Sequence, residues 1–231
     1  MIHFANDSST QRNIKESASF YRQQRTEELL NRYEVLDYKN VAAILRDRGG
    51  LYDEDIGMGN EKALNQLIAH HRVVFMPEKR LIWVSTNPYQ LGAFVAYDLN
   101  EVFSEYPNLS DDREIKVDSL TIVADPFLKT EEYKKYVEFC ELKKHLQKIT
   151  KLSRVEFDKM EHDKALRIQE INPQYYRAYE LAGDLYKART QWDLAIEAYK
   201  QALDLEIATL KERRNIEIAL SECLEAKKQE N

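Results

Sequence analysis

Cysteine is scarce in this chain: its 231 residues hold two, Cys140 and Cys223, both inside helical patterns. Such side chains read as small buried apolar groups, which argues against a disulfide framework or a Cys/His metal cluster. Long apolar runs are missing too, and nothing approaches the ~18 consecutive residues that a membrane-spanning helix needs. Positive charge is not in excess. The net charge of −6 removes the electrostatic footprint of a nucleic-acid binder. Residues 1–7 lack the basic and apolar regions of a signal peptide, so this end carries no export address. The compartment stays open, because an export signal would sit upstream.

Familiar reaction motifs are equally absent. Gly57-Met58-Gly59-Asn60 has the glycines of a flexible loop, but no Lys-Ser/Thr pair follows to make a phosphate cradle. Asp53, Glu54 and Asp55 lack the alternation and the distal glutamate of a calcium loop, and read as a solvated acidic turn. There is no Gly-x-Ser-x-Gly elbow, and no histidine is fixed by spacing beside Ser85-Thr86-Asn87. His70 and His71, read as neighbours in a strand, point to opposite faces and cannot share one metal. Either one of them lines a pocket at a sheet edge, or both are ordinary packed or exposed side chains.

What is present is a foldable chain. The hydrophobic share of 43% argues against disorder, and 32% charged residues suits solvated helical faces. The length allows one or two domains. An α+β architecture is expected, with a division near Asp125-Pro126: mixed α and β before it, helix throughout after it.

In the first part a helix is expected over residues 13–32, with Ile14, Ala18, Tyr21, Leu29 and Leu30 as its buried stripe. Asp37 reads as the N-cap of a second helix whose Val41, Ala42, Ile44 and Leu45 face a core. Three strands follow, over 64–76, 80–85 and 92–98, separated by Pro77-Glu78-Lys79 and Asn87-Pro88-Tyr89. Asp98 and Glu101 have capping-box spacing for a short helical turn through Phe103. The loop over 104–112 is polar, and alternation predicts a fourth strand over 115–123. Such a meander needs a partner layer for its apolar face, and little chain precedes it, so a missing upstream segment is expected.

The second part is more specific. Tyr179, Ala182, Gly183 and Tyr186, followed by Ala195, Tyr199 and Ala202, have the offsets of a tetratricopeptide repeat over about 174–207. Small residues let two antiparallel helices approach while the tyrosines fill the seam. Ile171-Asn172-Pro173 resembles the end of a preceding repeat, and a closing helix is expected from Ile207 to about Lys228. One repeat cannot bury its own faces, so neighbours must complete the stack. The unit is either a docking or capping element or a groove for a partner peptide.

Several pieces, taken in order, resemble the C-terminal part of the acyl-coenzyme A:isopenicillin N acyltransferase-like proteins, relatives of carcinine hydrolase and bile salt hydrolase. They are His3-Phe4, Ser19-x-x-Arg22 leading into Leu29-Leu30, Ile44-Leu45-Arg46-Asp47, residues 65–71, residues 83–88 and residues 95–99. The resemblance covers residues 1–103, or as far as 125, and a helical tail with tetratricopeptide character is similar to the layout of some bacterial members. It implies an αββα sandwich of the N-terminal-nucleophile hydrolase class. In that class a cysteine freed by autoproteolysis attacks an amide or thioester, with its own α-amino group as base and no cofactor.

The nucleophile and the oxyanion asparagine of that family lie upstream of the matched part, and Ile2 stands where the family often has asparagine. No catalytic residue is therefore transferred. Substrate-binding positions are placed at Asn60, His71 and Asn87, from strand ends and loops alone. The expectation is thus the C-terminal half of a cysteine-dependent amide hydrolase or acyltransferase over 1–125, inactive without its N-terminal half, and a helical tail over 126–231 that offers a surface to a protein partner. The alternative is a non-enzymatic tetratricopeptide adaptor with an α+β head.

Overall fold

The computed structural model describes residue 14 and residues 17–105, 114–152 and 158–230. His3-Phe4 and most of the 104–112 loop lie outside them. The architecture is mostly helical α+β: a three-stranded antiparallel sheet in the N-terminal part, then a packed helical region.

Helix α1 (Ser19–Leu30) begins later than the periodicity predicts. Ala18 and Leu29 are buried as expected, but Ile14 and Leu30 stay at the surface and Arg25 takes the inner position. Three acids make that burial possible. Arg25 meets Asp47 in a two-pronged contact (Nε–Oδ2 3.0 Å, Nη2–Oδ1 2.8 Å) and also reaches Glu28 at 2.9 Å and Asp53 at 2.8 Å. The acidic turn is thus an anchor for a buried guanidinium. Helix α2 (Tyr38–Leu45) is capped as predicted, with Asp37 Oδ1 accepting from Asn40 N at 2.8 Å.

The sheet runs β1 (Val73–Met76), β2 (Leu81–Ser85), β3 (Phe94–Asp98) in that order, every pair antiparallel. The expected strand over 64–76 survives only at its end, and His70 and His71 stand on irregular, exposed backbone before it. Side chains take over the backbone groups that a ladder would have used: Asn65 Oδ1 accepts from Leu67 N, Asn65 Nδ2 donates to Tyr89 O, and Tyr136 Oη donates to Leu67 O. The fourth strand is also corrected. A 3₁₀ turn, Asp118–Leu120, breaks the alternation, leaving isolated bridges at Phe94–Ile122 and Tyr97–Lys116 along the outer edge of β3.

One face of the sheet packs on α2. Ala42, Val74, Trp83, Phe94 and Ala96 form its buried cluster, with Tyr38 stacked on Trp83 at 4.5 Å between centroids. After β3, helix α3 (Leu99–Glu105) follows directly. Asp98 Oδ1 accepts from Asn100 N, and no return bond from Glu101 completes a capping box.

The helical region opens on the 3₁₀ turn Pro126–Lys129 and continues through α4 (Glu131–Thr150), α5 (Lys159–Ile171), α6 (Tyr176–Ala188), α7 (Trp192–Leu203) and α8 (Leu210–Glu230). Thr130, Asp158 and Thr209 cap three of these N-termini from their side-chain oxygens. Helices α6 and α7 form a tight antiparallel hairpin. A Cβ on Gly183 would sit 2.7 Å from the Tyr199 ring, closer than carbon atoms pack. Ala182, Ala195, Ala202, Tyr186 and Tyr199 are buried in the same seam. Its outer turn is held from inside by Arg189, whose guanidinium pairs with buried Glu161 at 3.1 Å.

Secondary structure changes at Asp125-Pro126, but packing does not stop there. Leu67 and Leu91 belong to the same buried cluster as Tyr136, Phe139 and Tyr175. The seal is the stretch 56–67. Gly57, with φ of +81°, lies against Tyr175, where a Cβ would come within 2.5 Å of backbone and side chain, a placement that requires glycine. Asn172 exchanges two hydrogen bonds with Met58, at 3.0 and 2.9 Å.

Candidate functional site

The three predicted binding residues are not brought together. Asn60 is fully buried and its hydrogen-bonding capacity is spent inside the fold: Nδ2 donates to Ile56 O and Glu206 O, each at 2.9 Å, and Oδ1 accepts from Lys62 N at 3.0 Å. It ties the 56–67 stretch to the chain entering α8. His71 is exposed on irregular backbone, and Asn87 is exposed at the cis Asn87-Pro88 bond. None of the three lines either of the two larger cavities, of about 450 and 460 Å³.

Both cysteines are packing residues. Cys223 is fully buried on α8, and burial pushes its thiol above the ordinary value. Cys140 is half-buried against the helical core. Among the described residues no group of His, Cys, Asp and Glu side chains is arranged to hold a metal ion, and no helix is long and apolar enough to cross a membrane.

The feature that stands out is the second face of the sheet. Strand register puts Val73 opposite Val84, Phe75 opposite Ile82, Ile82 opposite Tyr97 and Val84 opposite Val95. Since side chains alternate along a strand, these six share the face turned away from α2. All six are apolar or aromatic, all are half-buried or exposed, and none belongs to either buried cluster. Phe75 is 63% and Val73 40% exposed. An antiparallel sheet that meets water on one side normally alternates apolar with polar. Here both faces are apolar. Sequence reading asked for a covering layer, but only the register shows which side chains form the face turned away from α2.

No protein-family model, curated protein or solved structure matches this chain.

Proposed function

We propose that the chain is the non-catalytic half of a layered sandwich. In this reading it docks its second sheet face on a polypeptide layer that carries the cysteine nucleophile of an N-terminal-nucleophile amide hydrolase or acyltransferase. The substrate is an acyl amide or thioester, and the bond-breaking groups belong to the other layer. The observation that carries the reading is the sheet with two apolar faces and, among the described residues, a helix packed on one of them. A helix–sheet pair whose outer face is ready for a second sheet is half of an α-β-β-α stack. The motif resemblance over 1–103 supports the same class. The α6–α7 hairpin acts as a tetratricopeptide-like cap that supports the 56–67 stretch from behind.

A second reading is a peptide-binding adaptor, favoured by the close hairpin seam at Gly183 and Tyr199. Two measurements separate the readings. The native protein, taken from its source, is expected to show a companion segment or chain beginning with cysteine on intact-mass and N-terminal analysis. The isolated 231-residue chain is expected to bind a dye for exposed apolar surface, and Phe75→Lys or Val84→Lys to weaken that signal. A lone chain with a cooperative melt and no dye binding would overturn the sandwich and leave the adaptor.

A further inference from the structure

We propose that the cavity between α1 and the start of α8 binds a small carboxylate that carries an apolar chain. The site lies away from the sheet face and is independent of the sandwich reading. It rests on a cavity with apolar walls and one cation that no acid of the described residues neutralises.

The cavity holds about 450 Å³, within the range of small-molecule pockets. Phe20 reaches it from α1, Ile207 from the segment that enters α8, and Leu210 from the first turn of α8. Ile207 is buried, whereas Phe20 is 46% and Leu210 43% exposed. Two large apolar side chains, from helices far apart in the chain, thus meet water around one cavity. An apolar chain seated there takes both out of water.

The charged groups set the polarity of the ligand. Among the described residues, three charged side chains line the cavity: Lys62, Glu206 and Arg213. Lys62 pairs with Glu206 and lies over the Tyr21 ring at 4.7 Å, so the first two cancel. Arg213 is left over. It is half-buried, its Nη1 donates to Leu203 O at 3.2 Å, and no carboxylate among the described residues pairs with it. Other inward arginines hold acids of their own: Arg25 has Asp47, Glu28 and Asp53, Arg177 has Glu180 and Glu212, and Arg189 has Glu161. Glu212, beside Arg213 in sequence, is already taken by Arg177 and by Thr209 Oγ1. Arg213 also stands in the first turn of α8, the helix end that favours an anion over a cation. A carboxylate in the cavity meets the guanidinium with both oxygens, while its chain covers Phe20, Ile207 and Leu210. Acetate has the charge without the chain, and a long-chain alcohol has the chain without the charge.

The test uses the whole chain with decanoate below its micelle concentration, read by titration calorimetry, beside decanol and acetate. Decanoate is expected to bind saturably, and each of the other two about tenfold or more weaker. Arg213→Gln should lower decanoate affinity about tenfold or more, through loss of a charge-assisted bond, and leave decanol binding unchanged. Phe20→Glu, at a surface position, should weaken decanoate by at least a similar factor of about ten, because it removes apolar wall and adds a like charge. The neighbouring exposed Arg214→Gln should change nothing, and melting of each variant without ligand checks that the fold is kept. No saturable decanoate binding, decanol binding as tightly as decanoate, or an affinity that Arg213→Gln or Phe20→Glu leaves unchanged would overturn the site.

Discussion

The two regions of this molecule close their cores in different ways. The helical region, α4 to α8, buries a large cluster from Tyr136 to Cys223 that also takes in Leu67 and Leu91, and the inward charges Arg189 and Glu161 pair there. The sheet packs on a smaller cluster, Ala42, Val74, Trp83, Phe94 and Ala96, and carries a row of half-buried and exposed apolar side chains on its other face. Its polar anchor, Arg25 with its three acids, stands at the rim and not inside a helix stack. The contrast is between a core drawn from many turns of packed helix and a sheet whose buried cluster lies on one side.

Breaking the helical region should cost most. Arg189→Met removes one partner of a fully buried ion pair and the donor to the Ile149 carbonyl, which should destabilise by about 3–5 kcal/mol; chemical denaturation followed by helical signal measures it. Gly183→Leu comes next. The Tyr199 ring blocks the added side chain, and its hydroxyl is held by Asp184 at 2.7 Å, so overpacking should cost about 1–3 kcal/mol. An unchanged melting temperature would refute the close seam.

Asn60→Ala probes the join. It leaves the Glu206 carbonyl without its buried donor, for about 1–3 kcal/mol, and should split the melt so that sheet and helical signals no longer coincide. If only ligand-dependent properties changed, the original placement of Asn60 in a binding site would be right after all.

The smallest effect separates the regions by pH. In the sheet region a backbone bond from Tyr52, then Arg25 and Arg32, hold Glu28 below its ordinary 4.5, and Arg32 and Arg25 hold Asp53 below 3.8. That stabilisation is present above those values and is lost as pH falls through the lowered ones. In the hairpin, burial raises Asp184 above 3.8 and Glu180 above 4.5. Their contribution is full below those values and fades as pH rises through the raised ones. Asp184→Asn, which keeps an acceptor for Tyr199, should therefore hold or slightly raise stability at neutral pH and flatten the hairpin's pH dependence. A fall in stability at neutral pH would show that the charge itself is needed.

Local chemistry made much of this fold readable. Asp37 announces α2 because an N-cap is settled within three residues, and Pro77 and Pro88 punctuate the meander for similarly short-range reasons. Gly183 and Tyr199 were legible as a seam, since small and aromatic residues at helical spacing carry their packing with them. The stretch 64–72 misled. Its apolar residues read as a strand, yet Asn65 and the distant Tyr136 claim the backbone around Leu67, and no local pattern records a hydroxyl sixty-nine residues away. Asn60 misled in the same way. A loop asparagine looks available until Glu206 is folded onto it.

The sequence by itself determined the mixed first part and the helical second part, the cap at Asp37 and the turns at Pro77 and Pro88, because those depend on spacing along one strand or helix. Tertiary structure alone decided that the two segments share a core through residues 56–67 and that Arg25 is buried against three acids. It alone put six apolar side chains on the sheet face turned away from α2. Burial, partner choice and strand register depend on groups far apart in the chain, and only the folded backbone brings them within bonding distance.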